Sequence, residues 1–215
     1  MARWEGAVEA DIIEARFAFA GRVSAVNKKQ GDTVKTWEWM AVLDKKMLQM
    51  ELDRQLADYE RVRADFEQFR TKFPDDSDDL TKYARAEKQA ALSASVKDVE
   101  IAKSHMDQAV LVSPVAGVIL SMQGVTAGLY VTPASAPITI IDTSSLRFVF
   151  EIPQSDLEYF TEPKELTITL SGMKKEYKGT TTPPTSGKKG SFPISMKLTE
   201  TAGLIIGLTG SANKK

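Results

Sequence analysis

Apolar residues alternate with polar residues in the last third of the chain and recur every three or four residues in its middle. The alternation in residues 146–152, 166–170 and 192–198 predicts short β-strands. Glycine, proline and lysine residues separate these runs, which is typical of a small β-barrel or sandwich. The middle of the chain instead has an apolar spacing of about 3.5 residues, which predicts helices with one apolar stripe each.

The helical stretch is interrupted at residues 73–79, Phe-Pro-Asp-Asp-Ser-Asp-Asp. Proline disfavours helix at the residue before it, and aspartate and serine are good N-caps for a following helix. Two helices of about 30 residues joined by a short turn must run antiparallel, as a hairpin about 45 Å long. The apolar stripe of the first helix consists of Leu52, Leu56, Tyr59, Val62, Phe66, Phe69 and Phe73.

Two β-type segments, one on each side of the predicted hairpin, resemble each other. Each begins with a glycine, has a second glycine ten or eleven residues later with a valine three residues beyond it, and ends in an aspartate. The glycines are Gly21 and Gly31 in the first segment and Gly117 and Gly128 in the second. Because glycine accepts backbone conformations that other residues avoid, we predict that these four glycines are structural turns. Two such halves make one small β-domain divided by an insertion.

Composition and charge exclude several classes of function. The net charge is −1, so there is no general electrostatic attraction to nucleic acid. The chain has no cysteine, which excludes disulfides, thiolate catalysis and cysteine-based zinc sites. His105 is the single histidine, and its neighbours on one helix cannot form a catalytic triad, which the fold must bring together. We therefore predict a protein that is not an enzyme and has no catalytic residue, bound cofactor or metal ion.

The turn between the predicted helices is acidic. A calcium loop starting at Asp75 would place Leu80 where a glycine must turn and Ala86 where a bidentate glutamate belongs, so the EF-hand pattern fails. A solvated acidic turn that caps the second helix fits better. Because this turn is the far end of the hairpin, we predict that it binds a partner. The predicted partner-binding residues are Asp75, Asp76, Ser77, Asp78, Asp79 and Leu80.

Two further features have alternative interpretations. Lys45 follows Asp44 as the modified lysine does in a lipoyl carrier, but the whole hairpin separates it from Gly117, so an ordinary first-turn lysine is favoured. Trp37 and Trp39 would lie on one face of a strand, as either a partner-binding patch or a covered edge of the core.

The order of these motifs resembles the membrane fusion proteins, or periplasmic adaptor subunits, of the HlyD type. Residues 21–44 read Gly-x-Val…Gly-Asp-x-Val-Lys…Ala-x-Leu-Asp, and residues 113–142 read Ser-Pro-Val-Ala-Gly-Val-Ile…Gly-x-x-Val…Ile-Ile-Asp. Residues 146–156 are similar to the entry to the barrel domain of that family, and residues 203–210 to its closing strand. The resemblance covers most of residues 15–212.

The resemblance implies an α+β, mostly β fold in three parts. A split lipoyl-like β-sandwich, or barrel-sandwich hybrid, would comprise residues 15–44 and 111–143. An antiparallel α-helical coiled-coil hairpin would be inserted at residues 45–110, with its tip at 74–79. A small β-barrel domain would comprise residues 144–215 together with 5–14, and could continue into a membrane-proximal part.

The resemblance also implies a non-enzymatic adaptor subunit of an export transporter. Its partners would be a membrane permease of the ABC or RND type, an outer-membrane channel or another envelope component, and further copies of itself in a ring. It would lie outside the cytoplasm, held at the membrane by an anchor absent from this chain. Family members that dock on outer-membrane channels have an Arg/Leu/Ser signature at the tip, and Ser77 and Leu80 match part of it. An acyl carrier domain and a structural coiled-coil spacer remain alternatives.

Overall fold

The chain is mostly β, with one pair of long helices in its middle. A computed structural model describes residues 3–75, 78–135, 137–173, 175–184, 186–187, 190–201 and 203–213. The helices are α1 Lys46–Lys72 and α2 Asp79–Gln108, and short 3-10 helices lie at Thr143–Ser145 and Gln154–Phe160. The strands are β1 Arg3–Glu9, β2 Ile12–Ala15, β3 Gly21–Val26, β4 Thr33–Val34, β5 Trp39–Leu43, β6 Val110–Val112, β7 Gly117–Ser121, β8 Tyr130–Val131, β9 Ile138–Asp142, β10 Arg147–Pro153, β11 Glu165–Leu170, β12 Glu176–Thr181, β13 Ser191–Leu198 and β14 Thr209–Asn213.

Six strands close into a barrel in the order β1-β10-β13-β12-β11-β14. The three alternating runs of the sequence form β10, β11 and β13, so the prediction of strands there is confirmed. Alternate residues point inwards, and Phe148, Phe150 and Ile152 are fully buried. Trp4 lies among them with its ring centroid 5.0 Å from that of Phe160. The barrel therefore has an aromatic core of its own.

Two four-stranded sheets enclose a second, separate core. Their orders are β2-β9-β7-β4 and β6-β5-β3-β8, so each sheet contains strands from before and after the helices. The buried residues between them include Val23, Val34, Ile119, Val131 and Ile140.

The two halves of the sequence repeat complete each other's sheets. The short strand β4 of the first half pairs with β7 of the second, and β8 of the second pairs with β3 of the first. The Gly31 amide donates to the Ile119 carbonyl at 2.9 Å, and the Gly128 amide donates to the Val23 carbonyl at 2.7 Å. Because each half supplies an edge strand to the other, neither half can form its sheet alone.

The four repeat glycines have two different structural roles. Gly31 and Gly128 lie in turns, and both have a φ of +89°. Gly21 and Gly117 are not turns as predicted, since they are the first residues of β3 and β7. At Gly117 the reason for glycine is close backbone contact, because a Cβ there would be 2.0 Å from the Ile141 carbonyl oxygen.

Valine at Gly31 or at Gly128 is expected to destabilise the protein by roughly 1–3 kcal/mol, because a β-branched residue is strained at positive φ. No atom outside the adjoining residues lies within 4 Å of a Cβ built at Gly31, so the cost there would come from the backbone alone. Urea unfolding of both variants would measure the effect. Two unchanged unfolding midpoints would contradict the equivalence of these turns.

Residues 5–14, which were predicted to accompany the barrel, are divided between the two β units. β1 pairs with β10 and β14 of the barrel, whereas β2 pairs with β9 of the other unit. Asp11 lies at the crossing, where its amide donates to Ser145 Oγ at 2.7 Å and its carboxylate pairs with Arg147 at 2.8 Å. No glycine or proline interrupts residues 7–19, so the sequence carries no sign of this crossing.

The two long helices contact each other and run antiparallel about the turn between them. Lys88 Nζ lies 2.5 Å from Asp65 Oδ2, and nearer the turn Arg85 donates to the Phe73 carbonyl at 2.6 Å. At the base of the pair, the Leu43 amide donates to the Ala109 carbonyl at 2.9 Å. Neither helix, within the described residues, is long and apolar enough to cross a membrane.

Candidate interaction site

The turn between α1 and α2 lies far from both β units. α1 has 27 residues, so at a rise of roughly 1.5 Å per residue its far end is about 40 Å from its start. Asp75, Asp78, Asp79 and Leu80 of the predicted partner-binding residues can be placed here. Asp76 and Ser77 lie outside the described residues. A turn at this distance cannot contact the β units of its own chain.

Two carboxylates of the tip have local roles in helix α2. Asp78 is the N-cap residue, and its Oδ1 accepts from the Thr81 amide at 2.7 Å. Hydrogen bonding from Thr81 lowers the pKa of the Asp78 carboxyl, because the bond favours the charged form. Asp79 lies in the first turn of the helix and pairs with Lys82 at 3.2 Å. Acidic groups at this end also complement the helix dipole.

Apolar residues lie on both sides of these carboxylates along the chain. Leu80 is 80% exposed and Tyr83 is 74% exposed. Phe73 packs against Phe69 at a centroid distance of 5.0 Å, with Lys72 Nζ 5.5 Å from its ring. The tip therefore presents exposed apolar groups next to negative charge, which suits a partner surface that combines an apolar patch with basic residues.

The remaining candidate chemistry is sparse. The described residues contain no group of three or more histidine, aspartate or glutamate side chains arranged to hold a metal ion. His105 lies in the last turn of α2. Lys45 is the N-cap residue of α1, so it lies where a strand leads into a helix and not at the tip of a β-hairpin. This placement favours the interpretation as an ordinary first-turn lysine.

Trp37 is a surface feature that the sequence pattern misplaced. It does not share a strand with Trp39, because residues 35–38 form a turn in which the Glu38 amide donates to the Lys35 carbonyl at 3.1 Å. Trp37 is the third residue of this turn and has a φ of +66°, the only non-glycine residue with positive φ among those described. Trp37 is 74% exposed, whereas Trp39 starts β5 and is 42% exposed.

Glu38 holds the turn at residues 35–38 in place. Its carboxylate accepts from the Lys35 amide at 2.8 Å and pairs with Lys28 Nζ at 2.6 Å. Lys28, and then the Lys35 amide, lower the pKa of the Glu38 carboxyl. The repeat in the sequence could have indicated this turn, because Val34 corresponds to Val131 of the second half. Residues 132–135, which follow Val131, include Pro133 and form the equivalent turn.

The overall architecture matches solved structures of low sequence identity. A MacA–MexA chimeric protein containing the Pseudomonas aeruginosa MexA α-hairpin domain superposes with a TM-score of 0.83 at 19% identity, covering 98% of this chain and 80% of that chain. The membrane fusion protein Spr0693 from Streptococcus pneumoniae R6 has a TM-score of 0.78 at 16% identity, covering 98% and 99%. The periplasmic adaptor protein EmrA has a TM-score of 0.52 at 13% identity, covering 98% and 97%.

No protein-family model and no curated protein matches the sequence. At these identities the likeness concerns the fold, and it extends over nearly the whole chain. This chain therefore has the fold of the membrane fusion proteins and periplasmic adaptors, as the order of its sequence motifs predicts.

Proposed function

We propose that this protein is the non-enzymatic adaptor subunit of an export transporter. The observation that carries the proposal is the combination of a β-barrel, a divided β unit and a long helical pair whose tip reaches about 40 Å from its root. Superpositions on solved structures of membrane fusion and adaptor proteins each cover 98% of this chain, and so include all three parts. An elongated molecule with separate surfaces at its two ends suits a link between two partners.

In this proposal the three parts have distinct tasks. Residues 12–44 and 110–143 are the split lipoyl-like domain, the helical pair is a coiled-coil hairpin that reaches the distal partner, and the barrel faces the permease. The distal partner is an outer-membrane channel or another envelope component, and the permease is of the ABC or RND type. Copies of the chain associate into a ring outside the cytoplasm, held at the membrane by an anchor.

The test is co-purification from membranes of the native host. The full-length protein, tagged at the end of the barrel, is extracted in mild detergent and its partners are identified by mass spectrometry. We expect a membrane permease in amounts comparable to the bait. A second bait without the helical pair should keep the permease and lose the distal partner. Recovery of metabolic enzymes in place of a permease would contradict the adaptor function.

Changing Asp75, Asp76, Asp78 and Asp79 together to asparagine is expected to reduce export while leaving the melting temperature unchanged or slightly raised. Asparagine is as good an N-cap as aspartate, so α2 keeps its capping bond. Removal of the repulsion between the clustered carboxylates offsets the loss of the exposed Asp79–Lys82 pair and of the interaction with the helix dipole. Export is measured in a strain that lacks the wild-type gene. The matched control changes Asp58 and Glu60, which lie on α1 away from the tip, to the corresponding amides. Full export by the tip variant would leave the tip as a solvated turn.

A further inference from the structure

Two loops of the divided β unit enclose an open cleft. The first loop, residues 27–32, follows β3, and the second, residues 122–128, follows β7. Gly31 and Gly128 are equivalent glycines of the sequence repeat, so the two loops correspond to each other. The cleft between them has a volume of about 370 Å³, which lies within the range of roughly 300–1,000 Å³ that is typical of small-molecule sites.

The floor of this cleft is apolar and belongs to the core of the β unit. Val26 and Met122 pack against that core, and Val125, which is part of it, is 7% exposed. All three side chains line the cleft, together with Ala127 on the second loop. Because the cleft reaches the core from outside, an apolar chain placed in it would bury its surface against side chains that packing already holds in position.

Hydrogen bonds to the opposite half of the repeat hold both walls of the cleft in place. In the first loop, the Gly31 amide donates to the Ile119 carbonyl of β7 at 2.9 Å. In the second loop, the Gly128 amide donates to the Val23 carbonyl of β3 at 2.7 Å. The cleft is therefore formed before any ligand enters it, and this preorganisation lowers the entropic cost of binding.

Lys29 places a positive charge at the rim of the cleft. Its backbone is fixed, because the Lys29 amide donates to Asp32 Oδ2 at 2.7 Å and the Asp32 amide donates to the Lys29 carbonyl at 3.1 Å. Lys29 is exposed, and no oxygen of the described residues forms a hydrogen bond or an ion pair with its ammonium group. That group is therefore available to a ligand in the cleft.

The charge of the cleft is positive. Two lysines line it, and no acidic residue is among the described residues that do so. Lys28 is neutralised within the chain, because its Nζ pairs with Glu38 at 2.6 Å and donates to the Thr33 carbonyl at 3.2 Å. Lys29 is not neutralised in this way. The cleft thus combines an apolar floor with one uncompensated positive charge, and the complementary ligand has an apolar chain and an anionic head.

We infer that this cleft binds an anionic amphiphile, with the apolar chain on Val26, Met122 and Val125 and the carboxylate or phosphate head on Lys29. A free amphiphile and a membrane lipid share this chemistry, so both are possible sources of the ligand. The inference goes beyond the adaptor function and does not depend on it, because one copy of the chain forms both walls of the cleft.

Calorimetric titration of the full chain with three probes tests the inference. Dodecanoate, below the concentration at which it forms micelles, should bind one molecule per chain. Dodecyltrimethylammonium has a chain of the same length and should bind about tenfold more weakly, because Lys29 repels its head. Butyrate should not bind detectably, because each methylene that the cleft covers strengthens binding roughly fourfold. Equal affinities for the anionic and the cationic dodecyl probe would overturn the inference.

Substitutions at the rim and in the cleft locate the binding site. Lys29→Gln should weaken dodecanoate binding about fivefold, the upper end for an exposed ion pair, and Lys29→Arg should preserve it. Lys46→Gln is the control, because Lys46 is also exposed but lies on α1. Ala127→Trp fills the cleft and should abolish binding, whereas Ala90→Trp on α2 should not. Full binding by Lys29→Gln or by Ala127→Trp, with an unchanged melting temperature, would contradict the site.

Sedimentation with lipid vesicles distinguishes the two sources of the ligand. Binding of dodecanoate without sedimentation on phosphatidylglycerol vesicles supports a free amphiphile. Sedimentation on phosphatidylglycerol but not on phosphatidylcholine vesicles, reduced by Lys29→Gln, supports a membrane lipid. A chain that binds neither dodecanoate nor phosphatidylglycerol vesicles would overturn the inference. That result leaves co-purification of the permease, which tests the adaptor function, unaffected.

Discussion

Alanine at Gly117 is expected to lower the free energy of unfolding by about 3 kcal/mol, at the upper end of the cost of overpacking a core. The new Cβ would lie 2.0 Å from the Ile141 carbonyl oxygen on the adjacent strand β9. That oxygen belongs to the backbone and cannot move without disturbing the sheet. Equilibrium unfolding in urea, followed by circular dichroism, would measure the loss.

Gly21 is the matched control, because it starts the equivalent strand of the other half. The three atoms nearest to a Cβ at Gly21 all belong to the Leu43 side chain, with Cδ1 at 3.0 Å, and a leucine methyl group can shift. Alanine there should cost less than about 1 kcal/mol, reduced further by the lower entropy of the unfolded chain. Equal losses for the two variants would contradict the close strand contact at Gly117.

Removal of the helical pair is expected to leave both β units folded and to abolish export completely. In this variant a short glycine-containing turn replaces residues 46–108. The chain ends at this point are adjacent, since the Leu43 amide already donates to the Ala109 carbonyl at 2.9 Å. The two halves would then be joined directly, and their exchanged strands β4 and β8 would be unaffected. Loss of most helical circular dichroism with a retained cooperative unfolding transition is the expected result.

A shorter excision controls for contacts at the root. Leu48, in the first turn of α1, packs against the core between the sheets, so the full excision removes one apolar contact. Replacing only residues 53–102 keeps Leu48 and both ends of the helical pair. This variant should be at least as stable as the full excision and equally inactive in export. Non-cooperative unfolding of both variants would show that the β unit depends on the helices.

Several elements could be predicted from the sequence because local periodicity determines them. Residues 46–72 and 79–108 repeat apolar positions at helical spacing and are separated by a segment with a proline and three aspartates, and the structure has helices at these positions. The alternating runs became β10, β11 and β13 of the barrel. The capping role of Asp78 also follows from residue type, because a short acidic side chain before a helix accepts from its first amides.

The order of motifs also indicated the fold class. The repeat of glycine, valine and aspartate on both sides of a helical insertion was sufficient to indicate two halves of one β unit. The structure then paired each half with the other through β4 and β8.

Other features were decided only by tertiary structure, because they depend on which partner a strand or turn meets in space. The sequence of residues 7–19 is one continuous β-type run, yet β1 enters the barrel and β2 the neighbouring unit. The need for glycine at Gly117 comes from the Ile141 carbonyl, which is distant in sequence. The spacing of Trp37 from Trp39 predicted that both lie on one strand. Residues 35–38 instead form a turn that is hydrogen-bonded to Ser113, and Trp37 is exposed there. Periodicity determines the type of an element, and long-range hydrogen bonding and close packing determine where it lies and which side chains remain exposed.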